Sequence, residues 1–376
     1  MMRKESLFAF FLSLCAFLLS WSHYVYFSEA LSNDEWESVS GFARIVIPDT
    51  FLYKDVLDFS DPLTSLVLAG VKNTVGPSLI WYVADGKWIP VLFINAVLLF
   101  LTVLYLGRLA RLMGIARHGA WTLMAIVAVM PATIYHSVGA LKEIPTMLFL
   151  TGFFYHYLKG DRAKWVLFSL ACILFRYQLA FSLFAFLVVD RFNRQALLYA
   201  FSALIVLSAL YPYIGLEVFS ASSTEYYRDL YGPDGSFGGM VESVREKIPV
   251  LSAFAVLFRI IQSIFEPLLI FIRDPSFYEN DDISLIGIAY FFSALLMLRY
   301  WLLFLKRTVS MLVNTNNAER NVIRLYTFCL VFIFPIGGFS FIHHRYLYPM
   351  TALVLVAATI RFKSVTFPVS HRLRVS

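Results

Sequence analysis

The sequence predicts an all-α, polytopic membrane protein of about ten transmembrane helices, forming a single integral membrane domain with interfacial helices in two long external loops. Two observations carry this reading. Hydrophobic residues make up 59% of the 376 positions and charged residues only 15%, where a soluble domain carries about 25% charge. The basic residues also gather in short loops between apolar runs, which orients a chain in a bilayer. The net charge of +6 therefore points to membrane lipid rather than nucleic acid as the partner. The 37 phenylalanines and 21 tyrosines suit lipid-facing helices and interfacial belts.

Arg3 and Lys4 precede an apolar run from Leu7 to about Phe27, which reads as an uncleaved first span entering from the cytoplasm. Residues 28–87 form the first external loop. In it, Ser32 or Asn33 caps a short surface helix whose Trp36, Val39 and Ala43 share one face. Pro77–Val83 is apolar but short, suiting an interfacial helix. Trp88–Leu106 returns to the basic set Arg108, Arg111 and Arg117, and Trp121–Tyr135 goes out again. Thr146–Leu158 comes back to Lys159–Lys164. Trp165–Phe175 and Leu179–Val189 are too short to cross alone, at about 1.5 Å per residue. They read as a hairpin dipping from the cytoplasm, with Arg176 at its tip.

Ala196–Ile214 leads out to the second external loop, residues 215–282, which holds Tyr226, Tyr227 and Arg228. Ile283–Leu305, Leu325–Ile342 and Leu347–Ile360 complete the crossings, and the basic tail places the C-terminus in the cytoplasm. Cys15, Cys172 and Cys329 lie in separate apolar runs and read as small hydrophobes rather than a disulfide. There is no zinc-type spacing, glycine-rich phosphate loop or Ser/His/Asp arrangement.

Between the third and fourth spans lies a polar break, His136–Pro145, containing Lys142 and Glu143. A carboxylate and an ammonium there are costly to bury in lipid, so they are expected to face water or protein. Pro145 suits the first turn of a new helix, which puts Glu143 at its mouth. Lys142 would favour the ionised carboxylate. On spacing alone, a connector whose charges mark the interface explains the same residues.

On this topology Asp34, Glu35, Glu143 and the group His343, His344 and Arg345 share the outer face. A carboxylate can take a proton from an attacking hydroxyl, and an arginine can hold a phosphate in two-pronged fashion. Each has a bland alternative: Asp34 as a helix cap, Arg345 as an interfacial anchor, Tyr227 and Arg228 as part of an aromatic belt.

At these residues the sequence resembles the GT-C superfamily of membrane glycosyltransferases, including protein O-mannosyltransferases and lipid A aminoarabinose transferases. The stretch Asp34–Ala43 looks like their acidic motif after the first span, and Ser137–Phe149 like the second acid after the third. The hairpin with Arg176 at its tip, and Arg345 ahead of Pro349, also match. The sequence departs from the pattern in carrying Glu143 where many relatives have Asp, and in lacking a proline after Arg176. The resemblance implies transfer of a sugar from a polyprenyl-phosphate donor to a cell-envelope glycan, lipid or protein acceptor, at the bacterial inner membrane. It makes Asp34 and Glu143 catalytic. It makes Glu35, Lys142, Arg176, Tyr227, Arg228, His343, His344 and Arg345 substrate-binding, and leaves a divalent metal open. Two other readings stand beside it, a polymerase of lipid-linked repeat units and a transporter of a lipid-linked sugar. The halves show no internal repeat, and the charges fall at span ends, both of which weigh against the transporter.

Overall fold

The computed structural model describes residues 4–32, 54, 75–139, 141–214, 260–261, 264–265, 268, 278–279, 282–283, 285–313, 319–338 and 347–360. Within them the chain is helical, apart from a two-residue antiparallel pairing of Tyr278–Glu279 with Asp282–Ile283. The helices are α1 (Lys4–Ser32), α2 (Val75–Val83), α3 (Trp88–Leu112), α4 (Arg117–Val129), α5 (Pro131–Val138) and α6 (Glu143–Lys159). There follow α7 (Arg162–Phe175), α8 (Leu179–Val189), α9 (Ala196–Ile214), α10 (Leu285–Val313), α11 (Arg320–Gly338) and α12 (Thr351–Thr359).

Among the described residues three helical stretches are long and apolar enough to cross a membrane: Lys4–Val25, Trp88–Leu112 and Ile288–Val313. The bent pair α4 and α5 makes a fourth if taken as one span. The sequence predicts an unbroken span over Trp121–Tyr135. The chain instead turns by 49° between α4 and α5, because Pro131 lacks an N–H and its ring clashes with the preceding turn. Thr133 repairs part of the loss by donating its hydroxyl to the Val127 carbonyl. The hairpin emerges as expected, as helices of 14 and 11 residues. At about 1.5 Å per residue neither spans a ~30 Å hydrocarbon core. α6, at 17 residues, also falls slightly short.

α6 lies inside the bundle, packed on α3, on α7 and on a 3₁₀ turn, Tyr348–Met350. Of residues Glu143–His156 only Phe149 is not buried. α12 is equally enclosed, with Thr351–Ala358 all buried. Between α6, α8 and α11 an aromatic stack closes the core: Phe153 lies on Phe328 with ring centroids 5.4 Å apart, and Phe186 meets Phe328 edge-on at 4.9 Å. The outer faces are greasy. Leu7, Phe10 and Leu18 on α1, Leu167 and Leu170 on α7, Phe181 and Phe184 on α8, and Phe292 on α10 are all exposed. So much apolar surface suits lipid and not water.

Two glycines permit the local geometry. Gly152 sits where α6 meets α7, and a Cβ there would run into the Phe168 ring. Gly160, at φ 73°, ends α6 in the left-handed region that glycine enters without strain. Asp161 then caps α7 and pairs with Lys164 at 2.8 Å. The Lys164 ammonium holds the Asp161 carboxyl below its ordinary value. The α6–α7 turn is thus tight, and the hairpin starts directly against α6.

Candidate functional site

Glu143 is the first residue of α6, after Lys142 at the N-cap. The Lys142 carbonyl accepts from both the backbone N–H and the hydroxyl of Thr146, which closes the first turn. Pro145 lies within that turn, where its missing N–H leaves no bond unmade. A carboxylate at this position also lies favourably toward the positive end of the helix dipole.

Arg176 comes from the other direction. It ends α7 at φ −148° and ψ 89°, its N–H donating to the Cys172 carbonyl, while Leu179 N–H donates back to the Arg176 carbonyl at 3.0 Å. These bonds fold Arg176–Gln178 into the hairpin tip. The tip reaches the mouth of α6, and Arg176 Nη2 donates to Glu143 Oε1 at 2.9 Å. The Glu143 side chain is 0% exposed and that of Arg176 7%. Their neighbours Leu141 and Phe175 belong to an apolar cluster with Ile80, Trp81, Tyr135 and Tyr290. Glu143 therefore faces protein, enclosed among apolar side chains, and not water.

Two of the residues singled out in the sequence thus meet directly, and Lys142, also buried, stands beside them. Asp34, Glu35, Tyr227, Arg228, His343, His344 and Arg345 lie outside the described residues, as does the expected surface helix beyond Ser32. Cys172 and Cys329 are free and buried, and Cys15 is free and half-buried. Among the described residues no three His, Cys, Asp or Glu side chains gather as a metal set.

The structure adds residues that sequence reasoning did not select. Tyr348, opening the last helical segment, shares a hydrogen bond with Thr133 Oγ1 and packs at a tilt against His136, with ring centroids 4.6 Å apart. The turn that carries it packs on α6. Beside Tyr348 a small open groove runs past Met130, Ala132, Met297, Trp301 and Leu347. Asn95 on α3, fully buried, donates from Nδ2 to the carbonyls of Ser137 and Gly139. As the one amide in the run Trp88–Leu106, it carried a legible signal, since a polar side chain within such a run marks a contact between helices.

A second polar cluster lies at the far end of α6. Arg324 of α11 clasps Asp190, which also accepts from the Tyr157 hydroxyl at 2.6 Å. Here Asp190 is saturated by its partners, which makes this a clasp between elements. At the Glu143 end, acid and guanidinium pair between α6 and the hairpin tip, and the turn that carries Tyr348 packs on α6. No protein-family model, curated protein or solved structure matches this chain.

Proposed function

We propose that the chain is an integral membrane glycosyltransferase of the GT-C type, moving a sugar from a polyprenyl-phosphate donor to a cell-envelope glycan, lipid or protein acceptor. In this reading the chain crosses the bacterial inner membrane about ten times, with both termini in the cytoplasm and the reacting face outside. The observation that carries it is the Glu143–Arg176 pair. A buried carboxylate needs a counter-charge, and the guanidinium lets one persist in an apolar setting. The same fork can exchange the carboxylate for a phosphate oxygen when donor arrives. Glu143 is then released to take the proton of the attacking hydroxyl, which adds to the sugar's anomeric carbon as the bond to the leaving phosphate breaks. Asp34 would share the general-base work, with Glu35 beside it. His343, His344 and Arg345, which shortly precede Tyr348 in the chain, would hold the leaving phosphate, and Tyr227 and Arg228 the sugar. The groove beside Tyr348 has a largely apolar lining, which would suit part of a lipid chain.

The test is lipid-linked sugar consumption and glycan product in cells carrying Glu143→Gln at matched membrane abundance. Loss of a positioned base lowers rate by about 10²–10⁴. Product at wild-type level from both Glu143→Gln and Asp34→Asn sinks the enzyme reading. A ladder of joined repeat units, in place of a single addition, would identify the polymerase variant of the same chemistry.

One observation favours a second reading. The Glu143–Arg176 pair is enclosed by protein and not set at an exposed span end, which suits a carrier whose charged site is alternately opened. Translocation of a lipid-linked sugar in vesicles, without any new glycosidic bond, would select that reading over transfer.

A further inference from the structure

Asn95 is 0% exposed, on the face of α3 that packs against α5 and α6. Both of its partners are carbonyl oxygens, Ser137 O at 2.9 Å and Gly139 O at 2.7 Å. Only the NH₂ side of the amide can face them, so its orientation is fixed by chemistry. These carbonyls belong to the end of α5. Helices leave their last carbonyls without intrahelical donors, and a left-handed glycine commonly turns the chain back to satisfy them. Here Gly139 is extended, at φ −112° and ψ 166°, so no such cap forms. Asn95 supplies the missing donors from another helix. The Gly139 carbonyl also accepts from Leu141 N–H at 2.9 Å, so one atom anchors both the tight turn and the amide. Glu143 opens α6 two residues after Leu141.

The amide meets two buried carbonyls, but it brings a cost of its own. Burying Asn95 leaves its Oδ1 with no hydrogen-bond partner among the described residues, and an unmet buried acceptor is unfavourable. The geometry that the amide fixes is what it contributes in return.

We infer that Asn95 is a positioning residue for Glu143: its amide pins the α5–α6 break to α3 and so sets the carboxylate against Arg176. The catalytic consequence rests on the glycosyltransferase reading, while the positioning itself does not. The experiment is a set of double-mutant cycles on the full chain, purified in detergent and followed by thermal unfolding. Glu143→Gln, Arg176→Gln and their combination are made in the wild-type background and with Asn95→Leu, which keeps the shape and removes the donors. Asn95→Ser supplies the same comparison if the leucine variant does not fold. In the wild-type background the two substitutions are expected to be strongly non-additive, as for residues in contact. With the amide gone, at least half of that coupling is lost. A residue that merely adds stability would shift every variant equally and leave the coupling intact, and that result would overturn the inference. In the transfer assay, Asn95→Leu is expected to lower turnover by up to about 100-fold with donor KM little changed, as a displaced catalytic group does. If coupling falls but the wild-type chain transfers no sugar, the positioning stands and the proposed function fails.

Discussion

Asp190 and Arg324 stand 134 positions apart in the chain and meet in a two-pronged ion pair, Nε to Oδ1 and Nη2 to Oδ2, both at 2.9 Å. Arg324 also lies over the Tyr157 ring, 5.4 Å from its centroid. The base of the hairpin is thereby tied to α11 and to α6 at one point, while the hairpin tip is tied to the other end of α6 through Arg176.

The clasp is expected to matter mainly when broken on one side. Arg324→Met leaves the Asp190 carboxylate, 6% exposed, without its counter-charge and should cost about 3 kcal/mol. The joint change Asp190→Leu with Arg324→Met should recover most of that loss. Thermal unfolding of the purified variants in detergent measures both. A single-variant loss below about 0.5 kcal/mol, the range of an exposed pair, would show that the clasp is solvated.

Gly152→Ala sets two effects against each other. Alanine is the better helix former by about 1 kcal/mol, but its methyl would overlap the Phe168 ring. Overpacking costs about 1–3 kcal/mol, so the variant should be destabilised overall. With Phe168→Ala already present, the clash disappears and Gly152→Ala should become stabilising. Unfolding curves that show the same sign in both backgrounds would rule out the close approach of α6 to α7.

Orientation can be read by labelling. By the positive-inside rule, the ends of the bundle that carry the basic loops after Leu106, Leu158, Val189 and Leu305 are expected inside. Cysteines introduced at Ser32 and Gly235 should react with an impermeant reagent in intact cells, and one at Asn316 only after permeabilisation. Cys172 and Cys329 are buried and silent, so only Cys15 needs removal first. External labelling at position 316 would invert the topology and separate the proposed site from its acceptor.

The proposed mechanism has Arg345 hold the phosphate of the lipid carrier. A guanidinium offers a planar fork of donors and an ammonium only a point charge. Arg345→Lys should therefore cut donor turnover clearly while keeping the charge. An interfacial anchor would tolerate lysine, which snorkels equally well. Wild-type turnover in the lysine variant removes the two-pronged contact.

Much of this architecture was legible in the sequence. Composition gave the helical membrane class, and the paired short runs around Arg176 gave the hairpin with its tip in place. Glu143 at the mouth of a helix followed from Pro145. That Arg176 would find Glu143 did not follow, because contact between residues 33 positions apart depends on the α6–α7 turn at Gly160 and on the small contact at Gly152. Nor did the clasp at Asp190: its partner is set by how α8 packs on α11, which no local pattern encodes. The bend at Pro131 has a local signal in the proline itself, but the apolar run Trp121–Tyr135 around it reads as one continuous span.

The hairpin's shortness has a consequence for how the chain is made. In the proposed topology, helices of 14 and 11 residues are each too short to cross the bilayer alone and would enter it together, carrying Arg176 with them. Glu143 leaves the ribosome first, and its partner follows 33 residues later. At roughly 5–20 residues per second the wait is about 2–7 s. Asp190 waits about four times longer for Arg324, 134 residues on, at the same rate. The partner of the acid at the mouth of α6 is therefore made well before the one that fastens the hairpin's base. A nascent chain arrested between those two moments would hold the first pair closed and the second still open.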